Sequence, residues 1–210
     1  MSSFFDVVYS RSVTIDRDGA GGELVVLFGP PAVGKMTVGR AVCARSDFTL
    51  FHNHHTIEPL HEIFGQASPA FATLNAEFRR RVIEEAAVNG VRLVFTTVWN
   101  LAGQRDADYI RGLVAPYVDR GCPVRFVELY ADLATRLDRN DGTDRLAAKP
   151  SKRDLERSAA HLMQREQAFT MNTSPGATLP GQRVVDGFAH LRLSTTDLGP
   201  SEAAARILAW

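Results

Sequence analysis

The chain has 210 residues, of which 45% are hydrophobic and 23% charged, which supplies a core and excludes a disordered or fibrous chain. Lys and Arg number 24, as do Asp and Glu, so the formal net charge is zero. Because general attraction to nucleic acid or an anionic membrane needs a positive excess, we expect neither partner, and only a local basic pocket is compatible with this balance.

Residues 1–22 carry several charges and end in a glycine-rich stretch, without the apolar core of a secretion signal. We expect an N-terminal extension here, followed by one domain at residues 23–210. No apolar run approaches the roughly 20 residues that cross a bilayer. The two cysteines, Cys43 and Cys122, cannot form a disulfide framework and lack metal-type spacing. These features predict a cytoplasmic protein.

Apolar runs alternate with helical segments along the rest of the chain. The runs typical of buried strands are 23–28, 48–52, 91–97, 124–130 and 190–194. The predicted helices are 34–45, 56–64, 69–89, 104–120, 131–139, 151–171 and 200–210. Residues 172–187, with their prolines and glycines, are expected to form a surface connection. The alternation predicts one three-layer α/β/α sandwich with about five parallel strands.

The motif GPPAVGKMT fills residues 29–37, between the first predicted strand and the first predicted helix. Glycines at this spacing let consecutive backbone N–H groups point into one hollow, and the helix N-terminus and Lys35 add positive charge for phosphates. The alternative is a plain glycine turn. The candidate nucleotide-binding residues are Gly29, Pro30, Ala32, Val33, Gly34, Lys35, Met36 and Thr37.

Met36 departs from the usual form of this motif. The residue after the lysine is commonly Ser or Thr, whose hydroxyl binds Mg²⁺. Thr37 follows at once, but successive helix residues point about 100° apart, so it is no simple substitute. We therefore expect Mg²⁺, if it accompanies the nucleotide, to be held by phosphate oxygens and water.

Residues 29–40, GPPAVGKMTVGR, resemble the phosphate loop of nucleoside-monophosphate kinases and shikimate kinases. Adenylate kinases are similar in Gly-Pro-Pro, and shikimate kinases in the trailing Thr37–Arg40. The resemblance covers most of residues 23–210. It implies the P-loop fold of this kinase group with strand order 2-3-1-4-5, ATP as the phosphoryl donor, and a small-molecule acceptor.

Residues 51–58 read FHNHHTIE. Shikimate kinases have Asp-x-Asp followed by Ile-Glu at this place, so the resemblance puts His52 and His54 on the two aspartate positions. Neutral imidazole accepts a hydroxyl proton near pH 7, which makes His54 a candidate base or acceptor-orienting group. Two alternatives are zinc binding by the histidine cluster and ordinary surface or helix-capping histidines. No dedicated metal ligands are assigned.

Further candidates for the acceptor site follow from the same resemblance, within an acceptor-binding region at about residues 52–90 and beyond it. Arg79 and Arg165 resemble the arginines with which shikimate kinases hold the acceptor's carboxylate; for Arg79 the alternative is a solvated, ion-paired helix face. Shikimate kinases have a glycine triplet where this chain has TTVWN, which argues against shikimate itself. Trp99 is a candidate pocket wall, with core packing as the alternative.

The polar segment at about residues 140–153 is expected to be a lid over the nucleotide. By resemblance Arg145 is the lid arginine that stabilises the transferring phosphoryl group. The alternative is a solvated pair of helices with mixed charges.

Together these features predict an ATP-dependent kinase, in which Lys35, His54 and Arg145 are the catalytic candidates and the acceptor is a small anionic or polar molecule with a hydroxyl or phosphate group. A nucleoside monophosphate, a sugar acid and an antibiotic hydroxyl all fit an arginine-lined pocket. One alternative is a nucleotide-binding module with little or no kinase activity, acting as an NTPase or regulator. A metal-dependent hydrolase built on the histidines is a weaker alternative.

Overall fold

A computed structural model describes residues 21–140 and 155–210 of the chain. Its centre is a five-stranded sheet in which neighbouring strands all pair in parallel. The strands are β1 (Glu23–Phe28), β2 (Thr49–Phe51), β3 (Arg92–Thr97), β4 (Val124–Tyr130) and β5 (Ala189–Ser194). Their order, β2-β3-β1-β4-β5, confirms the predicted fold class and strand order.

Helices follow the strands as predicted, with ends that differ by a few residues. They are α1 (Lys35–Cys43), α2 (His54–Phe64), α3 (Pro69–Val88), α4 (Gln104–Val118), α5 (Leu133–Asn140), α6 (Leu155–Ala168), α7 (Pro180–Val185) and α8 (Pro200–Ala209). One difference bears on the site: α2 begins at His54, two residues earlier than expected, so His54 lies in a helical turn.

The short helix α7 corrects the expectation of a surface connection at residues 172–187. Proline occupies its first turn, where the missing N–H costs nothing. Val184 and Val185 are buried and belong to the core beside α4. The density of Pro and Gly concealed this helix, because its apolar face is only two residues long.

The sheet is buried on both faces. In β1 the side chains alternate, so that Leu24 and Val26 join one apolar cluster and Val25 and Leu27 join the other. The central position of β1 explains why its run of apolar residues is unbroken. It also fixes the loop that follows β1 at the middle of the sheet's carboxyl edge.

Two predicted segments lie wholly or largely outside the described residues: the extension at 1–22, of which Gly21 and Gly22 are described, and the lid at 140–153, of which Asn140 is described. Among the described helices none is long and apolar enough to cross a membrane.

Glu128, on β4, is fully buried and lies at the centre of a network of polar side chains. Its carboxylate accepts hydrogen bonds from Asn172 Nδ2 (2.8 Å), the Thr173 amide (3.0 Å) and Arg192 Nε (3.1 Å), and lies 3.1 Å from His190 Nε2. Burial opposes its charged form, but the hydrogen bonds from these groups outweigh burial and lower the pKa of Glu128. The network therefore ties the loop after α6 and strand β5 to β4.

We predict that Glu128→Gln lowers the free energy of unfolding by about 2 kcal/mol or more, because charged partners lose their carboxylate. The matched control is Glu202→Gln, in an exposed pair with Arg206, which should change it by less than about 0.5 kcal/mol. Urea denaturation measures both.

The same pair of proteins tests the pH dependence. Since the folded pKa of Glu128 is depressed, its contribution is complete above the unfolded glutamate pKa of about 4.3 and is lost as the pH falls through the folded value. The gap between wild type and Glu128→Gln should therefore close in acid. A gap that widens below pH 4 contradicts this account.

Candidate functional site

The carboxyl ends of the parallel strands open into a cleft of about 1500 Å³. This is the edge of an open α/β sheet where ligands bind, because the loops that leave the strands diverge there to either side. The cleft is lined by the loop after β1, by faces of α2, α3 and α6, and by the segment from Thr195 to Pro200. Two of the predicted sets of residues, the phosphate loop and the acceptor arginines, therefore share one cavity.

The loop after β1 is wound tightly enough to need unusual backbone angles. Gly29 has φ +136°, Gly34 has φ +94°, and Ala32 has φ +63°, a conformation uncommon for a residue with a side chain. Helix α1 starts at Lys35, directly after the last of these, so its first N–H groups face the loop.

Lys35 closes the ring of this loop. Its Nζ donates hydrogen bonds of 2.7 Å to the carbonyl oxygens of both Gly29 and Pro30, and the side chain is buried. Of the eight predicted loop residues, all but Gly29 and Pro30 line the cleft. The buried ammonium of Lys35 and the N-terminus of α1 thus lie together at the edge of the cleft, and both are features that favour an anion.

The described residues offer Mg²⁺ few ligands of their own. Thr37 is exposed and lines the cleft, while Thr96 at the end of β3 is buried with its hydroxyl accepting from the Asn53 amide. Asp197 is the one carboxylate among the described lining residues, and no group of three or more His, Cys, Asp or Glu in that part of the chain is placed to hold a metal ion. These residues fit Mg²⁺ only as an ion carried by the nucleotide.

The far side of the loop is tied to the segment after β5. Thr195 Oγ1 donates to the carbonyl of Val33 (3.0 Å), and Arg139 Nη2 donates to the carbonyls of Thr195 (2.6 Å) and Thr196 (3.1 Å). The Arg139 side chain and residues 195–200 line the cleft together. They form one wall of it beside the phosphate loop.

His54 pairs with Glu58 one helical turn away. The His54 Nδ1 atom lies 2.6 Å from Glu58 Oε1, and His54 is only 8% exposed while lining the cleft. With Nδ1 protonated toward the carboxylate, Nε2 carries the lone pair of the neutral imidazole. The chain thus provides a hydrogen-bond acceptor at Nε2 of His54, with the tautomer set by the carboxylate of Glu58.

Arg79 is buried without a carboxylate partner in the described part of the chain. Its Nε donates to Thr56 Oγ1 (3.0 Å) and its Nη2 to the carbonyl of Asn53 (3.1 Å). Burial lowers the pKa of Arg79, although a guanidinium stays charged at neutral pH. The solvated-face alternative applies instead to Arg80 and Arg81, which pair with Glu84 and Glu85.

Arg165 is half-buried and lines the same cleft. Its Nε donates to His161 Nε2 (3.1 Å) and its guanidinium lies 5.3 Å from the ring centre of Phe169. Burial lowers the pKa of Arg165, against the opposing attraction of Asp106, with which it makes no ion pair. Arg165, like Arg79, therefore carries a charge that no described carboxylate neutralises by direct contact.

Three predicted site residues stand apart from this group. His52 is buried with its ring against that of His55 (3.6 Å between centroids), and it is not among the residues lining the cleft. Trp99 is 3% exposed and packs edge-on against Phe28 in the core, as its apolar ring favours, rather than on the cleft wall. Arg145 lies outside the described residues, so its role stays a prediction.

Several residues of the site were not predicted from the sequence. Glu58, which pairs with His54 but does not line the cleft, was available as its i+4 neighbour once the helix start was known. The cleft also receives side chains from α2, α3 and α6 at one-turn spacing: His61, Phe64, Phe71, Asn75, His161 and Leu162. Their helical periodicity is the signal, but nothing in the pattern distinguishes a stripe facing a cleft from one facing a core.

Comparison with solved structures identifies the fold. A candidate kinase from Chloroflexus aurantiacus matches with TM-score 0.57 and 14% identity over 90% of this chain and 98% of that one. A sugar kinase from a Janibacter species matches with TM-score 0.56 and 16% identity over 90% and 92%. The APS kinase CysC of Mycobacterium tuberculosis, solved with AMPPNP and APS, matches with TM-score 0.51 and 19% identity over 90% and 96%.

The chain has the fold of P-loop kinases. No protein-family model matches the sequence, and comparison with curated proteins gives no match. At identities of this size, the similarity to P-loop kinases shows the fold, while the chemistry depends on the residues of the cleft.

We predict that Gly29→Ala destabilises the fold by more than about 1 kcal/mol, because a Cβ there would overlap the backbone carbonyl of Leu129 and φ is +136°. Gly199→Ala is the matched control: it lines the same cleft, has φ −69°, and nothing lies within 4 Å of an added Cβ. Because Gly199 is the N-cap of α8, where Ala is less favourable than Gly, Gly199→Ala should lower stability by less than about 1 kcal/mol. Equal effects in thermal and urea unfolding contradict the loop geometry.

Proposed function

We propose that the protein is an ATP-dependent kinase that transfers the γ-phosphoryl group to a hydroxyl on a small anionic molecule. The observation that carries this proposal is the joining, in one cleft, of a phosphate loop with a His–Glu pair and two arginines that lack carboxylate partners. A nucleotide site alone accounts for the phosphate loop, but it does not account for the His–Glu pair and the two arginines.

On the nucleotide side, the loop amides and the Lys35 ammonium would bind the β- and γ-phosphates. The adenine ring of the nucleotide would lie beside Arg139 and residues 195–200, which together form one wall of the cleft. Mg²⁺ would arrive with the nucleotide, held by its phosphate oxygens and water, and would neutralise phosphate charge. The lid arginine Arg145 would cover the phosphates from residues 140–153.

On the acceptor side, Arg79 and Arg165 would grip an anionic group. Burying a guanidinium without a counter-charge is unfavourable, so a carboxylate or phosphate that enters the cleft gains full charge pairing. In this proposal, the charge partner of Arg79 and Arg165 is the anionic group of the ligand.

His54 would act as the base. As the acceptor oxygen bonds to the γ-phosphorus, the bond from that phosphorus to the bridging oxygen breaks and ADP leaves; the hydroxyl proton passes to His54 Nε2 and then to solvent. A phosphate acceptor has no such proton to lose at neutral pH, so the His54–Glu58 pair favours a hydroxyl. Glu58 would be a positioning residue that fixes the tautomer.

One alternative has an observation in its favour. The described residues place Met36 where a magnesium-binding hydroxyl is common, and Asp197 is the one described carboxylate that lines the cleft, which fits a protein that binds nucleotide without transferring phosphate. Measuring ADP formation with and without acceptors separates the two. For the hydrolase alternative, no group of three or more metal-ligating side chains comes together among the described residues.

We predict that Lys35→Met abolishes nucleotide-dependent turnover, with a fall of at least about 100-fold in kcat/KM, because the clamp on the phosphates is lost. ADP release in a coupled assay measures this. The control is Arg45→Met, an exposed cation that bonds Ser201 away from the cleft, which should keep full turnover. Undiminished turnover by Lys35→Met rejects the assigned clamp.

We predict that His54→Asn lowers kcat by about 10² to 10⁴-fold with KM for ATP unchanged, as expected when a proton acceptor is removed. Glu58→Gln should lower kcat less and move the acidic limb of the pH–rate profile, because the imidazole loses its carboxylate. His55→Asn is the control: this neighbour is exposed and does not line the cleft.

A merely structural role for the pair would show differently. In that case His54→Asn and Glu58→Gln would lower stability and raise KM together, and the pH profile of the remaining activity would be unchanged. An unaltered profile in Glu58→Gln therefore contradicts the positioning role.

A further inference from the structure

The acceptor end of the cleft is graded in polarity. Helix α2 leaves the sheet at His54 and ends about 15 Å further out at Phe64, at 1.5 Å per residue. Helix α3 returns in the opposite sense, with Phe71 near its start and Arg79 about 12 Å along it, where Arg79 bonds the beginning of α2. His54 and Arg79 therefore lie at the inner end and the two phenylalanines at the outer end, with His61 and Asn75 lining the cleft about one helical turn from Phe64 and Phe71.

The outer end is a wall of apolar side chains. Phe71 is only 8% exposed and Phe64 is 40% exposed; Ile57 from the middle of α2 and Leu162 from α6 line the cleft as well. The connection between α2 and α3, residues 65–68, also lines this end and contributes the polar side chains of Gln66 and Ser68. Among the described residues, Asp197 is the one carboxylate that lines the cleft, and it belongs to the segment after β5.

We infer that the acceptor is amphiphilic, with its anionic group and hydroxyl at the inner end and an apolar body against the wall formed by Ile57, Phe64, Phe71 and Leu162. This inference rests on the proposed function and names its substrate class. A compact polyol or sugar acid would satisfy the arginines but leave this wall facing water, whereas an apolar chain or ring displaces that water. Selectivity would come from both ends of one molecule.

The arrangement also sets the geometry of the ligand. Because Arg79 and His54 both lie at the inner end, the anionic group and the reacting hydroxyl must be close neighbours in the acceptor. The apolar body must then extend away from that head along α2 and α3. A hydroxyl at the far end of an apolar chain does not fit this description.

A series of 3-hydroxyalkanoates with 4, 6, 8 and 10 carbons tests the inference, since the head is constant and only the tail grows. Binding is measured by calorimetry with a non-hydrolysable ATP analogue already bound. We expect affinity to rise about tenfold for every two carbons until the outer end is filled, as burial of methylene groups predicts. Gluconate should bind more weakly than the longer members.

Two phenylalanine variants distinguish binding of the tail to the apolar wall from non-specific hydrophobic binding elsewhere on the surface. Phe64→Ser should flatten the dependence on tail length, while Phe78→Ser should leave it unchanged, because Phe78 is similarly exposed (47%) but does not line the cleft. Arg79→Met should weaken all members by a similar factor and leave the slope intact. The same slope in Phe64→Ser and wild type overturns the inference.

The outcomes also distinguish this inference from the proposal beneath it. Failure of the ATP analogue to bind rejects the kinase and the inference together. If the analogue binds but affinity is flat along the series, or no member binds, the amphiphilic acceptor is rejected while the kinase stands.

Discussion

The two hydrogen bonds from Lys35 to the carbonyls of Gly29 and Pro30 hold the loop after β1 in the ring on which the site depends. The ring requires residues that tolerate positive φ, and it lies at the middle of the sheet's carboxyl edge because β1 is the central strand. Thr195 fixes its far side through Val33. Every other group in the cleft is arranged around this loop.

The buried charged groups of this chain have two kinds of surroundings. Glu128, inside the sheet, receives donors from four residues, so its charge is satisfied within the fold. Arg79 and Arg165, beside the cleft, receive no carboxylate from the described residues. Since an unpaired buried charge is unfavourable, this difference is the reason why we propose a structural role for the carboxylate and a ligand-binding role for the two arginines.

Much of the fold could be predicted from the sequence because its signals are local. The apolar runs predicted the strands, and the glycine spacing predicted the loop after β1, which is closed by local hydrogen bonds from Lys35 to Gly29 and Pro30. The strand order came from the resemblance to P-loop kinases and is confirmed. The helix α7 was missed because its apolar face is short and lies among prolines and glycines.

The acceptor side was harder to predict because it depends on distant contacts. Arg79 could be proposed, but its partners Thr56 and Asn53 lie 23 and 26 residues away and only the fold brings them together. Trp99 follows a strand, a position shared by pocket walls and core residues, and packing on Phe28 decides for the core. Phe64 and Phe71 line the same end of the cleft because the connection between α2 and α3 reverses the chain, and the sequence alone did not predict this.

The central claim is that the loop after β1 binds polyphosphate through its backbone and Lys35. Calorimetric titration of the wild-type protein with ATP, ADP and adenosine, in the presence of Mg²⁺, tests it most directly. The account predicts saturable one-to-one binding of ATP and ADP and no binding of adenosine over the same concentrations, because the phosphates carry the affinity. Adenosine that binds as well as ATP, or no heat with any of the three, contradicts it.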